Sequence, residues 1–151
     1  MAAAIAVAAA LVIGCAGGST PQGVPPTETE ARAVLAELVA AARAGEFGTL
    51  CARGDANCPD VLAEAGRGRV PPEPPVLAGT RLLEPEPNRD GGLVLQVCGI
   101  DGAGRRYASE LLVTRTVSGL RVIQPVYWSG LRVPDDATVG TDRPLGWPGC
   151  P

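Results

Sequence analysis

The sequence contains no histidine and no lysine, so all thirteen basic residues are arginine. Histidine is the side chain whose ordinary pKa lies near neutrality, and without it there is no Ser-His or Cys-His dyad and no imidazole metal ligand. Without lysine there is no Schiff base and no phosphate-loop lysine. A large part of the usual catalytic repertoire is therefore missing.

The excess of charge is small and negative, with a formal net charge of −3 over 151 residues. Nucleic-acid-binding domains concentrate positive charge on one face to displace counterions from phosphates. We therefore expect no nucleic acid among the partners, and no motif indicates a cofactor. When both termini are set aside, roughly 100 residues remain, which is enough for one small domain.

Aromatic residues are few: two tryptophans, two tyrosines and one phenylalanine. Tyr127 and Trp128 stand at the end of the last predicted strand, and Trp147 lies in the carboxy-terminal tail. An aromatic side chain in such a place either lines the mouth of a pocket or closes a core. We expect the second role for Tyr127 and Trp128.

Long apolar runs are absent except at the amino terminus. Residues 2–14 are apolar or small, and as a helix they would extend about 20 Å, which is shorter than the roughly 30 Å hydrocarbon core of a bilayer. Their length is typical of the apolar region of a secretory signal.

The end of this run, Val12-Ile13-Gly14-Cys15, resembles the lipobox of bacterial lipoproteins. The resemblance implies that residues 1–14 are a signal peptide, that the bond between Gly14 and Cys15 is cleaved, and that the thiol of Cys15 is diacylated. Two acyl chains give stable anchoring to a membrane. Residues 15–26, rich in Gly, Ser, Thr and Pro, would then be a flexible tether outside the cytoplasm. A plain secretory signal and an uncleaved anchor are the alternatives.

Helical signals occupy the first half of the remaining chain. Thr27 and Glu30 have the spacing of a capping box, which predicts a helix start. A stripe of apolar residues follows at helical period, and Gly45 is placed to end this helix. Shorter helices are expected over residues 46–52 and 60–65, before the proline-rich residues 70–75 exclude helix and central strand. The stripe consists of Val34, Leu35, Leu38, Val39 and Ala42.

After the prolines the apolar pattern alternates, which indicates strands over residues 76–83, 93–100, 106–116 and 120–128. The simplest sheet is an antiparallel meander, with Leu120, Val122, Val126 and Trp128 on one face of the fourth strand. The predicted fold class is α+β, with the amino-terminal helices packed on one face of this sheet. We assign residues 27–128 to the domain and 129–151 to an irregular tail rich in Pro and Gly.

This order of elements resembles the nuclear transport factor 2-like (cystatin-like) fold, in which a curved four-stranded antiparallel sheet wraps around a long first helix. In that family the resulting cone is a ligand pocket, an enzyme site or simply a core. Members that use an Asp-His or Tyr-His arrangement have no counterpart here, because histidine is absent. The resemblance therefore supplies an expected shape but no catalytic residue.

Four cysteines remain when Cys15 is assigned to lipidation: Cys51, Cys58, Cys98 and Cys150. An even number in an exported protein predicts two disulfides, for which three pairings exist. The local pairing joins Cys51 to Cys58 and leaves Cys98 for Cys150. A zinc site is the rival interpretation of the four cysteines. Zinc sites favour close Cys-x-x-Cys pairs, so the spacings found here favour disulfides over a metal site.

Carboxylates are the remaining candidates for chemistry. Asp101 lies in a glycine-rich turn, and Asp135 and Asp136 lie in the tail. Glu110 lies inside a strand, either pointing into the cone near Tyr107 or Arg115, or on a solvated outer face, which we favour.

The sequence thus predicts a cell-envelope lipoprotein without catalytic activity, one that binds a small apolar ligand in the cone or an envelope protein. One alternative is a hydrolase or isomerase that uses Glu110 or Asp101 together with Tyr107. Another is a structural accessory of a membrane complex. The oligomeric state does not follow from the sequence.

Overall fold

The computed structural model describes residues 24–85, 91–133 and Cys150. Within these ranges the fold is α+β, as predicted, with helices preceding an antiparallel sheet of four strands. The elements are α1 (Glu28–Arg43), α2 (Phe47–Ala52), α3 (Cys58–Ala65), a 3-10 turn (Arg67–Arg69), β1 (Val76–Leu83), β2 (Gly92–Ile100), β3 (Arg106–Thr116) and β4 (Gly119–Ile123).

The first helix begins at the predicted capping box. The Thr27 hydroxyl accepts a hydrogen bond from the Glu30 N–H at 3.3 Å, and the Glu30 carboxylate accepts one from the Thr27 N–H at 2.8 Å. These bonds satisfy amides that have no partner within the helix. Gly45 follows the end of α1 with a φ of +73°, a left-handed conformation that glycine adopts without strain. Both predicted ends of α1 are thus confirmed.

The two short helices are joined by a disulfide. Cys51 in α2 and Cys58 at the start of α3 are bonded, with their Cα atoms 5.5 Å apart. Helix α3 begins two residues before the predicted start, because Cys58 and Pro59 form its first turn. It is followed, as predicted, by Gly66 with a φ of +84°.

The sheet is the predicted meander, in the order β1-β2-β3-β4 with every neighbouring pair antiparallel. The bounds of β1 and β3 are those predicted, and β2 begins one residue earlier, at Gly92. In the sequence, each of these strands is flanked by the proline-rich segment or by residues rich in glycine, where sequence signals are strongest.

The fourth strand was predicted too long. It ends at Ile123 rather than at residue 128, because Gln124 has a φ of +63° and Pro125 has no N–H to donate to the ladder. Val126 and Trp128 therefore do not share a strand face with Val122. The aromatic pair does close the core as predicted, since Tyr127 and Trp128 are fully buried after the strand has ended.

The main core lies between the helices and one face of the sheet. Val34, Leu35 and Leu38 of α1 pack there, as predicted, together with Leu95, Val97, Leu111, Val113 and Val122 from the strands. Leu50 of α2 and Leu62 of α3 complete this layer. Burial of apolar side chains such as these supplies most of the driving force for folding.

A second, smaller cluster lies on the opposite face of the sheet. It consists of Leu83, Val94, Leu112 and Val133. Val133 belongs to the assigned tail, so the packed fold continues beyond residue 128. The disulfide between Cys98 of β2 and Cys150, with Cα atoms 5.7 Å apart, also joins the tail to this part of the molecule. Side chains from both faces of β3 are buried as a result.

Candidate functional site

The space between α1 and the sheet is occupied by large side chains. Leu38, Leu111, Tyr127 and Trp128 are at most 2% exposed. Three cavities in the described residues, of 390, 250 and 160 Å³, lie between α1 and α2, beside the edge of β3, and between α3 and the segment after β4. In the part of the chain that the structure describes, the space between α1 and the sheet is thus filled by core side chains, and none of these cavities lies within it.

Glu110 lies on the face of the sheet opposite the helices, and it is buried. Its Oε1 accepts a hydrogen bond from Gln96 Nε2 at 3.0 Å, and its Oε2 accepts one from the Val133 N–H at 3.1 Å. The Arg81 guanidinium lies 3.4 Å from Oε2. The outer location was predicted correctly, but the expectation of a solvated side chain is wrong, because the chain around Val133 covers this face.

Glu110 is also separated from Tyr107, the residue with which it would act in a hydrolase or isomerase. Successive residues of a strand point to opposite faces, and Tyr107 and Glu110 are an odd number of residues apart, so Tyr107 joins the main core and Glu110 does not. The reading in which Glu110 points into the cone near Tyr107 or Arg115 is therefore wrong. Arg115 instead binds the carboxylate of Glu30.

Asp101 holds a turn and two arginines. Its Oδ1 accepts hydrogen bonds from the N–H groups of Ala103 and Arg105, both at 2.9 Å. Its Oδ2 lies 2.9 Å from Arg69 Nη2 and 3.3 Å from Arg105 Nη2. The predicted turn is confirmed, and the carboxylate additionally ties the β2–β3 connection to the 3-10 turn. Both carboxylate oxygens of Asp101 contact groups of the protein itself, and these contacts stabilise the local structure.

The two tyrosine hydroxyls are buried, and neither has a hydrogen-bond partner among the described residues. Burial raises the pKa of Tyr127 to about 12. Burial also raises the pKa of Tyr107, and the nearby Tyr127 and Asp101 raise it further. Both hydroxyls stay protonated at neutral pH, and Tyr107 donates no hydrogen bond to Asp101. This geometry lacks the contact that a carboxylate–tyrosine pair would need for proton transfer.

An arginine-lined cavity of about 250 Å³ lies beside the first half of β3. We call it the arginine cavity; it is lined by Arg69, Arg105, Arg106, Tyr107, Ala108, Trp128, Ser129, Gly130 and Arg132. No sequence motif marks it, because its residues come from the 3-10 turn, from the start of β3 and from the segment after β4. The sequence shows many arginines in a chain of negative net charge, but it does not show that these arginines lie close together, because their proximity depends on the fold.

The cavity exists because β4 is short. Beyond Ile123 the chain leaves the sheet, packs Tyr127 and Trp128 in the core, and returns beside β3. The Gly130 N–H then bonds to Ser109 Oγ at 2.9 Å, and the Glu110 N–H bonds to the Leu131 carbonyl at 2.9 Å. The edge of β3 before Ser109 is left facing the arginines.

A second surface depression, of about 390 Å³, lies between α1 and α2. Its floor includes Leu38, Ala41 and Ala44, and its charged neighbours are Glu37 and Arg53 among others. Two carboxylates, Glu37 and Glu46, line this depression, and Glu37 forms an ion pair with Arg53.

Several predicted site residues lie outside the described part of the chain. These are the lipidation and cleavage residues Cys15 and Gly14, the tail carboxylates Asp135 and Asp136, and Trp147. Among the residues described, no group of three or more potential metal ligands is brought together. In the same ranges, no helix has the length and apolar character needed to cross a bilayer.

Comparison of the chain with protein-family models, with curated proteins and with solved structures gives no match.

Proposed function

We propose that this chain is a lipid-anchored protein of the bacterial cell envelope, and that its domain binds a ligand or partner on its surface without catalysing a reaction. The observation that carries the proposal is the pairing of cysteines. Two disulfides use four of the five cysteines in the sequence, which leaves Cys15, the one in the lipobox-like segment, as the odd thiol.

Disulfides support a location outside the cytoplasm. Structural disulfides persist in oxidising compartments and are rare where glutathione and thioredoxin keep thiols reduced. Cys58 and Cys98 are buried at 0% and 1% exposure, so both bridges are integrated with the packed fold. This setting agrees with export directed by residues 1–14.

The filled core favours a binding role exerted at the surface. The order of three helices followed by an antiparallel meander supports the proposed nuclear transport factor 2-like fold, in which the cone serves here as a core. A ligand or an envelope protein would then contact the exterior of the domain. Two observations support a non-catalytic role. Both carboxylate oxygens of Asp101 accept hydrogen bonds from the protein, and Glu110 lies on the face of the sheet opposite the helices, where it bonds to Gln96.

The anchor is tested by producing the chain in a bacterium that processes lipoproteins, in the presence of radiolabelled palmitate. We expect label on the wild-type chain and a mature protein that begins at Cys15. The Cys15→Ser variant should carry no label, whereas the matched control Ser19→Ala should be labelled like the wild type. An unlabelled wild-type chain, or a mature protein that retains its intact leader, would refute the anchor.

A further inference from the structure

We propose that the arginine cavity is a binding site for a phosphate group, carried by a small molecule or by the headgroup of a lipid. The inference deepens the proposed function by naming its ligand class and rests on that function for the biological setting. Three observations carry it: an excess of positive charge among the described residues, an arginine with no hydrogen-bond or ion-pair partner among those residues, and a backbone N–H group at the same cavity.

Positive charge at the cavity exceeds the negative charge that balances it. Arg69 and Arg105 both bind Asp101, so one carboxylate serves two guanidinium groups. Arg106 adds a third positive charge to the lining. Glu64 lies in the adjoining depression of about 160 Å³, which shares Arg69 and Ser129 with the arginine cavity. Among the residues that the structure describes, a chain of net charge −3 thus gathers more positive than negative charge at this cavity.

Arg106 is the side chain with the clearest capacity for a ligand. In the ranges that the structure describes, it makes no side-chain hydrogen bond or ion pair, whereas Arg69 and Arg105 are held by Asp101. A guanidinium presents several N–H donors in a planar fork that matches the oxygens of a phosphate. Arg69 and Arg105 contribute a positive electrostatic potential at the cavity, and the Arg106 guanidinium is available to contact a phosphate directly.

The edge of β3 supplies a backbone donor. The N–H of Glu110 points away from β2, since it bonds to Leu131 on the opposite side. In an antiparallel ladder the N–H groups of alternate residues point to the same side, so the N–H of Ala108 has the same direction. Ala108 and Ser129 both line the cavity. A phosphate beside Arg106 would therefore meet a backbone donor and a hydroxyl as well as guanidinium groups.

The size of the cavity limits the ligand. A volume of about 250 Å³ is below the range of roughly 300–1,000 Å³ that is usual for drug-sized ligands. It accommodates one phosphate group with a small substituent, such as a glycerol unit. A lipid headgroup with its acyl chains outside the cavity also satisfies this limit.

The inference is tested by NMR titration of the purified chain, with both disulfides intact, using inorganic phosphate and glycerol phosphate at constant ionic strength. The chain carries Cys15→Ser, so that a failure of anchoring cannot affect the result. We expect saturable shifts at Ala108 and Ser129. Arg106→Gln should weaken binding about tenfold, the loss of one charge-assisted contact.

The matched control is Arg32→Gln, which removes the same charge from an exposed position on α1. It should leave the affinity unchanged. Equal affinity in Arg106→Gln, equal losses in both variants, or an absence of saturable shifts at the cavity would each overturn the inference. The spectrum of each variant reports whether it is folded. We expect Arg106→Gln to fold, because Arg106 makes no side-chain hydrogen bond or ion pair among the described residues.

Vesicles distinguish the source of the phosphate group. The same chain is sedimented with phosphatidylglycerol vesicles and with uncharged phosphatidylcholine vesicles. Arg106-dependent binding to phosphatidylglycerol alone supports a lipid headgroup, whereas phosphate binding without sedimentation supports a small molecule. Sedimentation that Arg106→Gln leaves unchanged, without phosphate binding in the titration, contradicts the proposed site.

Discussion

Arg115 of β3 binds both carboxylate oxygens of Glu30, each at 2.8 Å, and so joins the sheet to the first turn of α1. The same guanidinium donates a hydrogen bond from Nε to the Val24 carbonyl at 3.3 Å. Glu30 also closes the capping box with Thr27. One carboxylate therefore fixes both the start of α1 and its position on the sheet.

This arrangement predicts a specific loss of stability in acid. The hydrogen bond from Arg115, followed by those from the Thr27 N–H and hydroxyl, lowers the pKa of Glu30 from 4.5 to about 2. A depressed pKa means that the ionised form is favoured by folding, so its stabilisation is complete above pH 4.5 and is lost as the pH falls through about 2. Glu30→Gln should lose less stability than the wild type across this window, as measured by urea unfolding at a series of pH values.

Glu28→Gln is the matched control for this experiment, because Glu28 lies in the same turn but pairs with the exposed Arg32 on the helix itself. Its pH dependence should remain close to that of the wild type. Identical acid profiles for the wild type and Glu30→Gln would contradict the role of the Glu30–Arg115 contact.

Glu110 should contribute strongly to stability. Glu110→Leu leaves Gln96, the Val133 N–H and Arg81 without the oxygens that they contact. Loss of a buried, hydrogen-bonded carboxylate typically costs about 2–4 kcal/mol, which chemical denaturation measures directly. The exposed Glu73→Leu is the control and should change stability by less than about 0.5 kcal/mol. Similar values for the two variants would show that the Glu110 contacts are not stabilising.

The disulfides should differ in their effect on stability because they close loops of different length. Loop-closure entropy predicts a loss of roughly 2.5 kcal/mol for the double variant Cys51→Ala/Cys58→Ala and roughly 4 kcal/mol for Cys98→Ala/Cys150→Ala. The sequence separations are 7 and 52 residues. Thermal and urea unfolding of the two double variants provide the comparison, and a greater loss for the short loop would contradict this ordering.

The filled core predicts a large cost for truncation at Leu38, which is 2% exposed. Leu38→Ala should destabilise the domain by about 2–5 kcal/mol, because a cavity replaces packed methyl groups. Leu82→Ala, at a side chain that is 51% exposed, is the control and should cost far less. Nearly equal costs would indicate that the space around Leu38 is not tightly packed.

Local signals in the sequence predicted the elements well. Thr27 and Glu30 marked the start of α1, and alternation marked β1 and β3, because caps and strand periodicity depend on near neighbours. The end of β4 was missed, since Val126 and Trp128 continue an apolar alternation across Gln124 and Pro125. Here the chain leaves the sheet after Ile123 and buries Tyr127 and Trp128 in the main core, although the sequence pattern predicts a longer strand.

The candidate site was far less predictable. Arg69 and Asp101 are 32 residues apart, and nothing in their separate neighbourhoods indicates that they form a pair. Burial of Glu110 was missed for a related reason, because the segment that covers it follows β4 by a path that no turn motif specifies. Contacts between residues distant in sequence depend on where the whole chain passes.

The sequence by itself determined the helices, the strand order, the face of β3 on which Glu110 lies and the scarcity of catalytic side chains, because these follow from composition and from spacing between near neighbours. Only the tertiary structure decided that the space between α1 and the sheet is filled, that Glu110 is buried and that arginines meet at the edge of β3. The physical reason is that packing and charge compensation are properties of surfaces brought together by folding, and local pattern does not encode which surfaces meet.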